Sequence, residues 1–186
     1  MGDKHDHAHE DHRSHDAHVH GSWEMFAALD DAQLSVTMKG PIVDMLGFER
    51  VPETDAERAF VADLKERLTS HQTMLAIDDR AGCTSSTPAD IVLPAGFSDA
   101  SGEDRKVHAH DDHDHAHDEH GDTDIHLNDL EITYIFNCAS PSRLRSISVP
   151  AFDAFPAIES VEAVFLGDAQ QAARRLMRDS QSLKID

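Results

Sequence analysis

Positive charge is scarce in this sequence. Sixteen lysines and arginines face 36 aspartates and glutamates, a formal net charge of -20. A field of that sign repels phosphate backbones and argues against nucleic acid as a partner, while it raises the local concentration of cations. Long apolar runs are also missing. No stretch of 18 or more apolar residues exists, so no segment reads as a membrane-spanning helix. Apolar residues make up only 39% of the chain, a low share for a globular protein. The shortfall is local, because residues 1–20 and 99–126 hold almost none. What remains of the 186 residues is long enough for one compact core. Catalytic signatures are absent too: there is no H-E-x-x-H, no G-x-S-x-G and no phosphate-binding glycine loop.

Histidine is what the chain has in abundance. Fourteen of its 15 histidines fall in the two apolar-poor segments. The first carries His5, His7, His9, His12, His15, His18 and His20; the second carries His108, His110, His113, His115, His117, His120 and His126. Imidazole is a good ligand for zinc, copper, cobalt and nickel. One His-x-His pair cannot close a tetrahedral shell, but a flexible chain with many pairs can fold around an ion. The interleaved carboxylates complete such a shell, offset the ion's charge and orient the imidazoles. Plain linkers favour glycine, serine or proline instead. An artificial tag does not explain the irregular spacing and the internal second cluster. A pH sensor does not explain the His-x-His repetition. All fourteen are therefore candidate zinc ligands, with several ions per chain. A nickel, copper or cobalt buffer is the alternative within the same chemistry. His18, His20 and His126 flank the predicted fold, so they either converge on one ordered site or are simply the ends of loose clusters. An ordered site there is the basis of the enzymatic alternative, a zinc-dependent hydrolase. Flexible clusters, however, lack the rigid three-ligand geometry that hydrolysis needs. His71 stands apart at the end of a predicted helix and reads as structural, capping carbonyls or meeting the helix dipole.

The rest of the chain patterns as an α+β protein. Residues 1–20 form a flexible histidine-rich segment, and 21–186 form a single β-rich domain with a histidine-rich loop inserted at about 99–126. Trp23–Leu29 and Leu34–Met38 read as a hairpin around Asp30-Asp31-Ala32. Pro41–Leu46 reads as a short helical turn ended by Gly47. Thr54 and Glu57 form a capping-box pattern ahead of the one clear helix, about 54–70. Its expected apolar stripe is Ala56, Phe60, Leu64 and Leu68, widened by Val61. Short strands are predicted at Ile91–Leu93, Leu130–Phe136, Ile147–Val149, Val161–Leu166, Ala172–Met177 and Leu183–Ile185, with a turn at Pro141–Leu144. Six or more strands and one main helix imply an antiparallel sheet or sandwich. The two cysteines, Cys83 and Cys138, lie in or beside β-like segments outside any C-x-x-C pair. They suggest either one disulfide in an oxidising compartment or two buried free thiols.

The globular residues carry a family resemblance. The run His18-Val19-His20-Gly21, the hairpin, and then Gly40-Pro41-Ile42-Val43-Asp44-Met45-Leu46-Gly47-Phe48-Glu49 resembles the start of the ZrgA-type periplasmic zinc-binding proteins of Gram-negative bacteria. The likeness continues through Ala81-Gly82-Cys83-Thr84, the histidine-rich insertion, Leu130 to Cys138, Phe152-Asp153-Ala154-Phe155-Pro156 and the final strands. Arg50 follows Gly-Phe-Glu, where histidine is common in such proteins, so no ligand is carried over at that position. The strand before Cys138 lacks histidine, and only the clusters are carried over as ligands. The resemblance implies a Cys83–Cys138 disulfide, an exported protein whose signal peptide is absent from this sequence, and a periplasmic location. It also implies a part in zinc acquisition beside an inner-membrane zinc import system or its binding protein.

Overall fold

The computed structural model describes residues 19–97 and 129–186. Of the fourteen clustered histidines, only His20 lies within them.

The chain enters its fold through a hairpin, β1 (Ser22–Asp30) and β2 (Gln33–Pro41), paired antiparallel from Glu24↔Lys39 to Asp30↔Gln33. Asp31 takes the left-handed conformation that the tight turn demands. A four-residue helix, α1 (Val43–Leu46), follows and stops at Gly47, whose φ of 79° suits a residue without a Cβ. The main helix, α2 (Asp55–Leu68), starts on the predicted capping box, with the Thr54 side chain accepting from the Glu57 amide and Glu57 accepting from the Thr54 amide. Three short strands come next: β3 (Ala76–Ile77), β4 (Cys83–Ser85) and β5 (Asp90–Val92). Then follow β6 (Asp129–Cys138), β7 (Ser146–Ser148), the short helix α3 (Ala151–Ala154), β8 (Ser160–Gly167), β9 (Gln171–Met177) and β10 (Ser182–Lys184).

The strands form two open sheets. The larger has seven strands in the order β4-β6-β2-β1-β8-β9, with β5 pairing further along the same side of β6 as β4. The smaller has the order β10-β7-β3. The α+β expectation holds, with one refinement: β1 and β8 are parallel, so the large sheet is mixed. That pairing links the start of the fold to its end. It fits the roughly 130 residues between the two strands, since parallel strands need a long crossover rather than a tight turn.

Alternation decides which face is buried. Trp23, Met25, Ala27, Leu34, Val36, Met38, Ile132, Tyr134 and Phe136 point to one side and join α2 and both sheets in one contiguous core. The helix stripe differs from the expected one. Val61, Leu64 and Leu68 are buried, whereas Ala56 is exposed and Phe60 is 42% exposed. A step of four per turn drifts ahead of the true 3.6, so the first half of a strict i+4 row rotates off the core. The Tyr134 hydroxyl donates to the Leu68 carbonyl at 2.8 Å, which fastens the end of α2 to the middle of β6. Cys83 and Cys138 sit directly across from each other on β4 and β6 and are joined by a disulfide. It closes the long excursion that includes the inserted segment.

His71 begins a single 3-10 turn, His71–Thr73, after α2. Its ring meets Phe136 edge-on at 5.0 Å between centroids and lies 6.4 Å from Tyr134. It is a structural histidine, as expected, but its work is aromatic packing. Partial burial pushes its pKa below the ordinary histidine value. The folded chain therefore binds fewer protons at His71 than the unfolded chain does just below about pH 6.5, and stability at this site falls as pH falls through that window. Urea unfolding of metal-free His71→Phe and wild-type protein between pH 7.5 and 5.5 should show a shallower loss in the variant. Parallel pH slopes would contradict this.

Candidate functional site

Three stumps of chain matter most: Val19–Gly21, where the first histidine segment enters the fold, and Phe97 and Asp129, which border the second. The strand order brings them to one end of the large sheet. β1 starts there at Ser22, β2 ends there at Pro41, and β6 starts there with Asp129 paired to Pro41. β8 also starts there, with Ser160 beside Ser22. The end of the sheet is thus a meeting point fixed by register.

Helix α1 and the loop behind it organise that meeting point. Asp44 is only 8% exposed, an uncommon position for a carboxylate. Its Oδ2 accepts from the Gly21 amide at 2.9 Å and from Trp23 Nε1–H at 3.0 Å. Trp23 is fully buried, so its single donor needs this acceptor. Gly40 lies against the indole so closely that a Cβ there would fall 2.3 Å from Trp23 Cδ2. Desolvation raises the Asp44 pKa, with the Trp23 and Gly21 hydrogen bonds pulling the other way. The Gly21 carbonyl in turn accepts from the Glu159 and Ser160 amides. The entry point of the first segment is thereby clamped on both sides.

The same loop touches the other borders. Glu49 Oε1 stands 3.0 Å from His20 Nε2. Phe48 stacks on Phe97, with centroids 6.4 Å apart, and Val51 packs against Gly96. Arg50 lies over the Phe48 ring and grips Glu57 through both terminal guanidinium nitrogens. The hydrogen bond from Arg50, helped by the Thr54 and Glu53 amides, pulls the Glu57 carboxyl down to about 2. Arg50 is therefore a brace that pins the loop to the first turn of α2. On the far side, Lys39 lies 3.6 Å from Asp129.

Of the predicted ligands, His20 is at this end of the sheet, exposed and paired with Glu49. His5, His7, His9, His12, His15 and His18 lie outside the described residues, as do His108, His110, His113, His115, His117, His120 and His126. The two readings of His18, His20 and His126, convergence on one site or the ends of loose clusters, turn on residues outside the described ones, apart from His20. Among the described residues no group of three or more histidine, cysteine, aspartate or glutamate side chains is placed to hold a metal ion. None of the helices there is long and apolar enough to cross a membrane. The anchoring role of Asp44 and Glu49 is not marked in the sequence. The one available signal is an aspartate flanked by Val43 and Met45-Leu46, together with a lone tryptophan that needs an acceptor.

A family model described as a ZrgA family zinc uptake protein matches residues 17–185. The chain belongs to the ZrgA family. The matched span starts just ahead of His18 and holds the second histidine segment, while His5 to His15 precede it. Comparison with curated proteins finds no match. Membership in the ZrgA family gives the protein a role in zinc uptake, and the resemblance read from the sequence is borne out.

The clamp at Gly21 should be measurable. Asp44→Ala leaves the Trp23 and Gly21 donors buried without an acceptor, which costs about 1–3 kcal/mol. Asp44→Asn keeps one acceptor oxygen and should cost less. Urea denaturation of the metal-free variants checks both, and Asp44→Ala within about 0.5 kcal/mol of wild type would contradict the assignment.

Proposed function

We propose that this protein is a periplasmic, non-enzymatic zinc-binding protein that captures zinc, buffers it, or hands it over for import. Its ligands are the clustered histidines: His5, His7, His9, His12, His15, His18 and His20 in one segment, and His108, His110, His113, His115, His117, His120 and His126 in the other. The observation that carries this reading is the common anchorage of the two segments. Both are tied to one end of one sheet, through Asp44 and Glu49 for the first and through Phe48, Val51 and Pro41 for the second. Tethering two ligand-bearing chains at neighbouring points raises the effective concentration of one for the other. An ion first held by a His-x-His pair in one segment then completes its shell from either segment.

Zinc is the cargo. Exchangeable pairs load and release faster than one closed cage, which suits capture and transfer. The carboxylates between the histidines compensate the charge of several ions. The cross-strand disulfide is consistent with an oxidising compartment such as the periplasm. A zinc import system in the inner membrane, or its binding protein, is the partner that fits such a donor. The hydrolase alternative gains no support from His20, which is exposed and paired with a carboxylate rather than fixed in a three-ligand site.

Titration calorimetry with zinc should give more than one ion per chain at pH 7.5. Protons compete for each imidazole, whose reference pKa is about 6.5, so affinity should fall steeply towards pH 5.5 with more than one proton taken up per zinc released. Replacing the histidines of either segment with asparagine should lower the capacity. A stoichiometry below one, or affinity that stays flat to pH 5.5, would overturn the proposal. A stronger preference for nickel, copper or cobalt under metal competition would redirect it to another metal.

A further inference from the structure

Among the described residues the large sheet ends on one side at β9, whose Gln171–Arg175 stretch has no strand beyond it, while Met177 at its end bridges to Ser180. Among the described residues the only strand that pairs with Gln171–Arg175 is β8, from Ser160↔Met177 to Leu166↔Gln171. β9 is seven residues long and contains no proline. Natural edges of this length are usually shortened, bulged or covered, because their free N–H and C=O groups recruit another strand. Here the edge carries two adjacent arginines, Arg174 and Arg175, with Ala172 and Ala173 before them. They project to opposite faces: Arg174 stands across from buried Ala163, and Arg175 across from exposed Glu162. Beside the edge, the outer face of the sheet exposes Val164 and Leu166 on β8, with Phe26 across from Val164 on β1.

Charge selects the occupant. A second copy pairing through its own β9, in the register that aligns the two arginine pairs, sets like charge against like charge. Locally, the side-by-side arginines of β9 are complementary to a strand that carries carboxylates. Among the described residues Arg174 donates to the Ser180 hydroxyl at 2.8 Å, and Arg175 donates to the Ser160 hydroxyl at 3.1 Å and reaches Glu162 at 3.4 Å in an exposed and exchangeable pair. We propose that the β9 edge, Gln171–Arg175, is a docking site for an extended acidic segment of another protein. The segment adds to the sheet as an eighth strand, its two adjacent carboxylates meeting Arg174 on one face and Arg175 on the other, and its apolar side chains resting beside Val164 and Leu166. This surface contains no zinc ligand, so its test is independent of the zinc reading and is done in chelator.

The probe is a ten-residue peptide of alternating valine and threonine with two adjacent glutamates at its centre, mixed with isotope-labelled full-length protein. The control is the same peptide with lysines in place of the glutamates. Binding is followed by amide shifts and hydrogen exchange. The glutamate peptide should shift and protect the Gln171–Arg175 amides and bind at least about fivefold tighter than the lysine peptide, the scale of one or two exposed charge pairs. Arg174→Glu, checked to unfold at the wild-type temperature, should reverse the preference. Arg174→Gln should weaken glutamate-peptide binding without creating a lysine preference. Equal binding of both peptides, shifts confined to residues away from β9, or no shifts at millimolar peptide would each overturn the proposal.

Discussion

The buried carboxylate of Asp44 is the constraint on which the organisation of this fold turns. It satisfies the one polar atom of the buried Trp23 indole and holds the Gly21 amide, so the start of the first strand is fixed to a helix of only four residues. A helix that short has little stability of its own. It stands because Asp44 is held from β1, because Gly47 ends it in a left-handed turn, and because Met45 and Leu46 are buried in the core. Once α1 is placed, the following loop has nowhere else to run. Phe48 meets Phe97, Glu49 meets His20, and Arg50 locks on to Glu57. The borders of both histidine segments are therefore assembled by a loop whose course starts from α1.

Charge is divided along the chain in a way that fits this plan. The described fold carries most of the basic residues, and several are committed to braces: Arg50 to Glu57, Arg80 to Asp78, Arg58 to Asp55 and Arg178 to Asp153. The acidic excess is strong in the histidine-rich segments, where only Lys4, Arg13, Arg105 and Lys106 oppose it. Exposed ion pairs contribute little stability singly. Their value here is positional. Asp78 shows this well: held far below the ordinary carboxylate range chiefly by Arg80, it also accepts from the Arg145 amide and so joins the segment after β3 to the start of β7.

Local signals were legible in the sequence. The capping box at Thr54 and Glu57, the hairpin turn at Asp31, the stop at Gly47 and the alternation of Ile132, Tyr134 and Phe136 each depend on a few neighbouring residues, and each is realised. The residues alone leave a disulfide and two free thiols open, and the family likeness favours the bond, since spacing alone does not reveal that β4 lies beside the end of β6. Non-local outcomes were hidden for the same reason. The parallel β1–β8 pair, the two-residue β3 and the short helix α3 are set by tertiary packing rather than by propensity. The stripe of α2 missed by part of a turn because Phe60, a large apolar residue, lies on the exposed side. For the site, the ligand type was legible and its anchorage was not: no pattern in the sequence says that Phe97, Asp129 and Gly21 share one end of a sheet.

The central claim is that zinc is held by imidazoles drawn from segments tethered at that common end. X-ray absorption at the zinc edge, on protein loaded with one equivalent and then with several, tests it most directly. The account predicts three or more imidazole nitrogens per zinc at about 2.0–2.1 Å at every loading, with carboxylate oxygen completing the shell. It also predicts that this shell persists when the histidines of only one segment are replaced by asparagine. A six-coordinate environment dominated by oxygen, with one imidazole or none, would contradict it.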